Sequence, residues 1–415
     1  HQISEELLGT PASYTGHYVI SPDPVAIGPH ADPVAMTMKQ HSGYQAVEGR
    51  HILNSALCGT CHTLISDTLD PDGTPTGHQL YEQSAYLEWR NSIYSDEGDR
   101  VGDQARTCQA CHVPVVDVDG QPIHTRLSRT PGGRDWPGTQ PRSPFGRHTF
   151  VGGNVLLAQM LRDNAQELQV FGSAAAFDAT VEATRKLLKM ETATVTIGDV
   201  QRLAGKLRIP VHIENLTGHK FPTGFPSRRA LVRLEVRDAD DRLIFISGGF
   251  DKLGRIVDLE GQVVASELAG GPSQPHYVQV ATSNEVQIYE SVMADRNGDE
   301  TFTLLRGAGY AKDNRLLPKG WQAEHADAAA IAPVGVTEDG DFQAGVDVVW
   351  YEVAVDSPGP VTIQASLHYQ SIGVRHVAEV FTFDTPEVKS FQSMYEAADR
   401  IPEIIGKARK VVDGG

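Results

Sequence analysis

The sequence predicts an α+β protein, with a mostly helical and loop-rich N-terminal domain followed by an antiparallel β-sandwich domain. Two observations lead to this prediction. Before about residue 190 the chain combines turn-rich stretches with apolar residues at helical spacing, whereas after residue 194 apolar and polar residues alternate. We therefore expect the N-terminal domain to cover 1–194 and the β-sandwich 195–390, with a C-terminal helix over 391–415.

The elements of the N-terminal domain follow from its prolines and from the spacing of its apolar residues. Residues 1–50 are rich in Pro, Gly and His, which predicts an extended segment that covers a cofactor edge or reaches a neighbouring subunit. A run of turn formers over 67–77 separates the first two predicted helices, and Ser173 is the N-cap candidate of the last. The predicted helices cover 51–65, 79–94, 154–169 and 174–190.

Two copies of the pattern Cys-x-x-Cys-His lie in the first third of the chain, and they contain all 4 cysteines. Their residues are Cys58, Cys61 and His62 in the first copy and Cys108, Cys111 and His112 in the second. This pattern is the attachment motif of c-type haem. Two thiols on one helical turn add across the two vinyl groups of a porphyrin, and the adjacent histidine binds the iron. The sequence therefore predicts two covalently attached haem c groups, with His62 and His112 as proximal ligands.

Zinc, a redox-active dithiol and structural disulfides are the alternatives to haem. Zinc sites with two Cys-x-x-Cys pairs usually separate the pairs by about 15–20 residues, whereas residues 62–107 separate them here. A redox-active pair is usually single and lies in a βαβ unit. Neither zinc nor disulfides require the histidine that follows each pair. These alternatives stay open, but haem is the hypothesis that uses all six residues.

The second half of the chain has the period of β-strands. Strands are expected near 207–213, 230–236, 243–247, 285–290, 347–355, 361–369 and 377–383. At least seven short strands separated by Gly, Pro, Asn and Asp indicate an antiparallel β-sandwich. Residues 295–299 (D-R-N-G-D) resemble the start of a calcium loop, but they lack its later glycine and glutamate, so a hairpin turn is the favoured prediction.

One loop of the predicted sandwich has an unusual composition. Residues 215–229 have the sequence N-L-T-G-H-K-F-P-T-G-F-P-S-R-R. A loop with two prolines can hold His219 in one orientation, as a metal ligand needs. Arg228 and Arg229 are placed to bind haem propionates through charge-assisted hydrogen bonds. A surface turn with a solvated histidine is the alternative that spacing alone leaves open.

The two Cys-x-x-Cys-His motifs, the stretch H-T-F-V-G-G-N at 148–154 and the loop T-G-H-K-F-P-T-G at 217–224 together resemble bacterial multihaem c-type cytochromes. In that family, helical haem segments precede a β-rich domain, and two motifs are few for the group. The resemblance implies that a second histidine from a distant part of the sequence is the sixth iron ligand. His148 and His219 are the implied distal ligands, without assignment to either haem. Further candidates from the N-terminal stretch are His17, His30, His41 and His51.

Composition and charge exclude several classes of function. An apolar content of 40% and a charged content of 21% are typical of a soluble globular protein. The net charge of −17 argues against nucleic acid or an anionic membrane as partner. No apolar run reaches the roughly 18 residues of a transmembrane helix. Because the chain begins at His1 without methionine, we expect a mature form in the periplasm or cell exterior, where haem c is attached.

The expected function is electron transfer by an exported dihaem c-type cytochrome with two histidine ligands at each iron. Filled axial positions make an iron low-spin and leave no site for a substrate. Redox proteins or other cytochromes are the expected partners, and a homo-oligomer or filament stays open. One alternative is a peroxidase-like dihaem oxidoreductase with one open iron site beside acid–base groups. Another makes the β-sandwich a ligand-binding module. Whether the protein is an enzyme is therefore left uncertain.

Overall fold

The computed structural model describes residues 1–99, 101–117, 119–127, 130, 132–203, 205–355 and 358–414. Helices and antiparallel sheets are both present, which confirms the α+β class in its coarse form. The helices are α1 (Ala35–Ser42), α2 (Ser55–Gly59), α3 (Ala85–Arg90), α4 (Cys108–His112), α5 (Val155–Asp163), α6 (Ala174–Glu191), α7 (Val374–Val380) and α8 (Pro386–Ala397). Across these described ranges, no helix is long and apolar enough to cross a membrane.

Four short strands belong to the part of the chain before α5. They are β1 (Val25–Gly28), β2 (Gln45–Glu48), β3 (Leu64–Leu69) and β4 (Pro75–Gln83). The pair β1–β2 is parallel. Strands β3 and β4 form an antiparallel hairpin whose turn lies within the predicted run of turn formers. The helix predicted over 79–94 is wrong in its first part, because Leu80 and Glu82 are buried while Gln79 and Tyr81 are exposed. This period of two places residues 79–83 in β4.

The remaining strands form two larger sheets and one small pair. They are β5 (Ala193–Ile197), β6 (Gln201–Leu203), β7 (Lys206–Asn215), β8 (Arg229–Arg237), β9 (Leu243–Ser247), β10 (Gly249–Phe250), β11 (Ile256–Val257), β12 (Gln279–Val280), β13 (Ile288–Ala294), β14 (Glu300–Thr301), β15 (Gly309–Asp313), β16 (Val346–Ala354), β17 (Val361–Gln370) and β18 (Glu403–Val412). One sheet has the order β12-β16-β7-β5 with β6 beside β7, and the other β14-β13-β8-β17-β18 with β9 beside β8 and β15 beside β13. Within the two sheets only the β12–β16 pair, among the described strands, is parallel.

The two larger sheets share one hydrophobic core, and we call them together the sheet body. Alternate residues of β7 from Leu207 to Ile213, and of β8 from Ala230 to Val236, are at most 1% exposed and belong to the same core cluster. Alternation along a strand sends these side chains to one face of each sheet. Burial of each large apolar side chain stabilises the fold by about 1.5–3 kcal/mol. The loop between β7 and β8 is therefore anchored at both ends in the core.

The C-terminal part of the chain differs from the sequence prediction. The helix predicted over 391–415 is wrong after residue 397, because α8 ends at Ala397 and β18 follows; Gly415 lies outside the described residues. In β18 the residues from Lys407 to Val412 alternate between exposed and half-buried, which is the period of a strand on β17. The strand predicted over 377–383 is wrong as well. There Val374, Val377 and Phe381 have helical spacing, and Val377 is buried in α7.

Two further features of the fold bear on the sequence predictions. Residues 295–299 form a hairpin turn in which Asp295 Oδ1 accepts the N–H groups of Asn297 and Asp299, at 2.8 and 3.1 Å. The β3–β4 hairpin packs on β15, where Tyr310 donates its hydroxyl to the Tyr81 carbonyl at 2.7 Å. This contact joins residues from the first and second halves of the chain. The predicted domain limits, 1–194 and 195–390, stay a prediction.

Candidate haem-binding site

The two Cys-x-x-Cys-His motifs lie side by side although they are far apart in sequence. Thr107 caps α4 by accepting the N–H of Ala110, so the second motif begins a helical turn. The Cys108 N–H donates to Ser55 Oγ at 3.0 Å. Gln109 Nε2 donates to the carbonyls of Ile52 and Asn54, both at 2.9 Å. These bonds fix α4 against the start of α2, which carries the first motif.

The four cysteines are free thiols. The thiols of Cys58 and Cys108 are within hydrogen-bond contact of each other, and this contact lowers the pKa of Cys58 and raises that of Cys108. Cys61 and Cys111, the second cysteine of each motif, are exposed. The first cysteines of the two motifs are therefore neighbours.

His112 and His219 face each other with their ring centroids 6.3 Å apart and their planes 18° from parallel. His112 Nδ1 lies 2.6 Å from the Val151 carbonyl, and His219 Nδ1 lies 2.9 Å from the Lys220 carbonyl. Because a carbonyl only accepts, each Nδ1 carries the proton and each Nε2 keeps its lone pair. Such a bond from the non-coordinating nitrogen is the usual way that proteins orient a metal-binding histidine.

The spacing of this pair fits a metal held between the two imidazoles. Two bonds of about 2 Å between imidazole nitrogen and metal, plus half a ring on each side, separate the centroids by roughly 6 Å. Burial lowers the pKa of His219 to about 4, and repulsion by Arg228 and by the protonated form of His112 adds to this effect. His219 is therefore neutral at pH 7, which is the form that binds a metal. The residues present thus fit a haem iron, which His112 and His219 would hold.

Asn215, at the end of β7, holds the backbone around His219. Its fully buried side-chain nitrogen donates to the carbonyls of His219 and Leu317, at 2.9 and 3.0 Å. Its side-chain oxygen accepts the N–H of Thr217 at 2.9 Å. The Thr217 hydroxyl donates to the His219 carbonyl at 2.8 Å. An asparagine followed two residues later by threonine often closes such a turn, and here that turn fixes the orientation of His219.

The two arginines at the end of the loop have different surroundings. Arg228 is half-buried, donates to the Thr223 carbonyl at 2.7 Å and has no carboxylate partner in the described chain. Arg229 is buried and binds both oxygens of Glu267, at 2.6 and 2.8 Å, and Gln370 at 2.8 Å. Three of the five N–H donors of Arg229 are therefore engaged within the protein, and its role at a propionate stays a prediction. Arg228 keeps donors free for that role.

The structure does not bring His148 against either proximal histidine. Its side chain is exposed and stacks on Phe150, with centroids 5.7 Å apart. The stretch that carries it nevertheless borders the second motif, since Val151 accepts the His112 bond and Arg147 N–H donates to Pro114 at 3.0 Å. The atom of this stretch that contacts His112 is a backbone carbonyl, which has no signature in the sequence.

His62, the first proximal candidate, has His112 and Arg228 as its charged neighbours. Desolvation lowers the pKa of His62, and repulsion by the protonated form of His112 and by Arg228 adds to this effect. The N-terminal segment binds the backbone of the first motif, with Thr15 N–H donating to Thr63 and Gly16 N–H to Thr60, at 2.9 and 2.7 Å. His17 follows directly and is exposed.

The other N-terminal candidates lie apart from this contact. His51 is buried and bound to the Ile3 carbonyl at 3.0 Å. The ring of His30 stacks on Phe145, with centroids 5.9 Å apart. His41 is exposed in the last turn of α1. None of these positions assigns a distal ligand to the first motif.

A second group of potential metal ligands lies beside β16, which contains Asp347. One nitrogen of His276 and one oxygen each of Asp339 and Asp347 lie within 4.8 Å of one another. However, His276 Nδ1 accepts the side-chain N–H groups of Gln287 and Asn314, at 2.9 and 3.1 Å, and the oxygens of both amides are held by backbone N–H groups. His276 Nε2 must then carry the proton, and it donates to Asp339 at 2.8 Å. With no free lone pair on the imidazole, the group is a hydrogen-bonded network and not a metal site.

No protein-family model matches the chain, and no curated protein does. Among solved structures, the chain is similar to the penta-heme cytochrome c552 from Thermochromatium tepidum. The two are 14% identical with a TM-score of 0.49, over 96% of this chain and 70% of that chain.

Proposed function

We propose that this protein is an exported dihaem c-type cytochrome that transfers electrons, with the haem of the second motif held between His112 and His219. The facing pair of imidazoles carries this proposal. Their ring centroids lie 6.3 Å apart with near-parallel planes, and the proton on each Nδ1 leaves the lone pair of each Nε2 available to a metal. Two histidine ligands fill both axial positions of an iron, which favours electron exchange over substrate binding.

The haem groups supply the one-electron chemistry, and the chain supplies their attachment, orientation and charge environment. The contact between Cys58 and Cys108 makes the two attachment points neighbours, which supports electron exchange between the groups bound there. Arg228 lies near both His62 and His219, where its free donors suit a propionate. Its positive charge favours the reduced, less positive iron.

The proposed partner is a redox protein, and the acidic charge of the chain favours a basic one. At a net charge of −17 the chain attracts a basic partner over distance, and that attraction weakens as salt rises. Attachment of haem c belongs to the outside of the bacterial cytoplasm, so the proposed location is the periplasm or the cell exterior.

The deciding experiment changes His219 to alanine in the holoprotein. His219→Ala should keep both haems, seen as an intact mass above that of the bare chain by two haem equivalents. One haem should become high-spin and bind added cyanide or carbon monoxide. His78→Ala, at an exposed position in β4, is the control and should leave the spectrum unchanged.

Two results would contradict the proposal. An unchanged spectrum of His219→Ala would remove His219 as an iron ligand. An intact mass equal to that of the polypeptide would remove the covalent haems. A high-spin signal from one full haem in the unchanged protein, with turnover of peroxide, would favour the oxidoreductase alternative.

A further inference from the structure

Glu88 is a charged side chain in α3 that is fully buried and touches the loop of His219. Its Oε2 accepts the backbone N–H of Lys220 at 3.0 Å and the hydroxyl of Thr223 at 2.6 Å. Its Oε1 lies 3.2 Å from a guanidinium nitrogen of Arg315. One carboxylate from the N-terminal half of the chain thus binds the loop at two positions and the sheet body at a third.

The residue that Glu88 binds is also the residue that orients His219. The carbonyl of Lys220 accepts the His219 Nδ1 proton at 2.9 Å. The side chain of Lys220 is itself fully buried and donates to Asp313 at 2.7 Å. Asp313 in turn binds two nitrogens of Arg315, each at 2.7 Å. Two carboxylates and two cations therefore close a cluster of balanced charge around the Lys220 backbone, as buried charges require.

The same helix contacts the first haem motif. Tyr86 lies on α3 two residues before Glu88, and a Cβ at Gly59 would lie 2.6 Å from its ring. Trp89 of α3 lies against Gly218, where a Cβ would lie 3.1 Å from its ring. Helix α3 is therefore in contact with the first motif on one side and with the His219 loop on the other.

We propose that Glu88 is a positioning residue for the second haem: through the Lys220 backbone it sets the orientation of His219 and thereby the coordination of the iron. This inference rests on the proposed function, because it requires His219 to be an iron ligand. A carboxylate so close to the ligand also adds negative charge beside the metal, which favours the oxidised iron. Glu88 thus acts on both the geometry and the midpoint potential of this haem.

The test compares two substitutions of Glu88 in the holoprotein by electron paramagnetic resonance and redox titration. Glu88→Ala removes both loop contacts, so a fraction of one haem should become high-spin while the other haem stays unchanged. Glu88→Gln keeps an acceptor for Lys220 and Thr223 but loses the charge. It should stay low-spin, and the midpoint potential of that one haem should rise.

Glu82→Ala is the matched control. Glu82 is also buried, and it accepts a hydrogen bond from Ser66 at 2.8 Å in the β3–β4 hairpin, with no hydrogen bond to the His219 loop among the described residues. Its loss should lower thermal stability and leave both haem signals unchanged. A purely structural role of Glu88 predicts the same behaviour for Glu88→Ala, so unchanged signals and potentials in that variant would overturn the inference.

The outcomes separate this inference from the proposed function. If His219→Ala alters one haem and Glu88→Ala alters none, the positioning role is wrong and the proposed ligand stands. If neither changes a haem, the ligand assignment fails. Should Glu88→Ala not accumulate as holoprotein, Thr223→Val decides, because it removes one of the two loop contacts: a shifted low-spin signal supports the inference, and an unchanged signal overturns it.

Discussion

Asn215 shows how much of the candidate site depends on a single neutral side chain. Its amide satisfies two buried carbonyls, those of His219 and Leu317, and one backbone N–H, that of Thr217. A buried carbonyl that loses its donor keeps the cost of desolvation, which is about 1–3 kcal/mol for each such group. The geometry of His219 is therefore coupled to the stability of the loop.

At this scale we predict that Asn215→Ala lowers the free energy of unfolding by about 2–4 kcal/mol, because the Leu317 carbonyl loses its Asn215 donor and the Thr217 N–H loses its acceptor. Part of one haem should become high-spin in the same variant. Denaturant titration followed by circular dichroism gives the first quantity, and the visible spectrum gives the second. Asn297→Ala, in the exposed turn at 295–299, should change the free energy of unfolding by less than about 0.5 kcal/mol.

At the scale of elements, the packing of α2 on α3 has no room for an extra methyl group. The Cβ of an alanine at position 59 would lie 2.6 Å from Tyr86 Cδ1, well inside van der Waals contact. The ring has little freedom to move, because it stacks on Trp89 at 5.9 Å and its hydroxyl donates to Glu97 at 2.7 Å. The glycine within the first motif is thus required by the neighbouring helix.

We predict that Gly59→Ala lowers the free energy of unfolding by about 1–3 kcal/mol, the usual cost of overpacking a tight contact. The measurement is thermal or denaturant unfolding of the holoprotein. Gly28→Ala is the control, since nothing lies within 4 Å of a Cβ at that position. Equal free energies of unfolding for the two variants would contradict the tight packing of α2 on α3.

The sequence predicts the long elements well and the short ones poorly. Helix α6 and strands β7, β8 and β17 have many residues in one clear period, so local pattern decides them. Segments 377–383 and 403–412 have apolar residues that fit more than one period, so tertiary pairing decides between helix and strand there. In the site, the Cys-x-x-Cys-His motifs and His219 are visible as patterns. The pairing of His219 with His112 is not, because it depends on contacts distant in sequence.

Across the whole molecule, one hydrogen bond connects the two sheets through a buried acid. Tyr289 of β13 donates to Asp347 of β16 at 2.6 Å, while the other Asp347 oxygen is buried without a partner among the described residues. Burial raises the pKa of Asp347 from 3.8 to about 7. The folded chain therefore keeps a proton that the unfolded chain releases between about pH 4 and pH 7.

The sign of the resulting pH dependence follows from that proton. The stabilising contribution of Asp347 is fully present below its unfolded pKa of 3.8 and is lost as the pH rises through about 7. Asp347→Asn stays neutral, so its stability relative to the unchanged protein should rise from pH 4.5 to pH 8, on the order of a few kcal/mol. Denaturant titrations at both pH values measure this difference. A difference independent of pH would contradict the raised pKa.

The origin of His219 in the loop between β7 and β8 has a consequence for the biogenesis of the protein. Both Cys-x-x-Cys-His segments precede β7 and β8 in the chain. The proposed sixth ligand reaches His112 only after β7 and β8 have entered the sheet body, since the loop is anchored in those strands. Contacts between such distant segments form late, because closing a long loop is entropically costly. The spin state of the second haem would then change when the two larger sheets assemble, and it would report that step of folding.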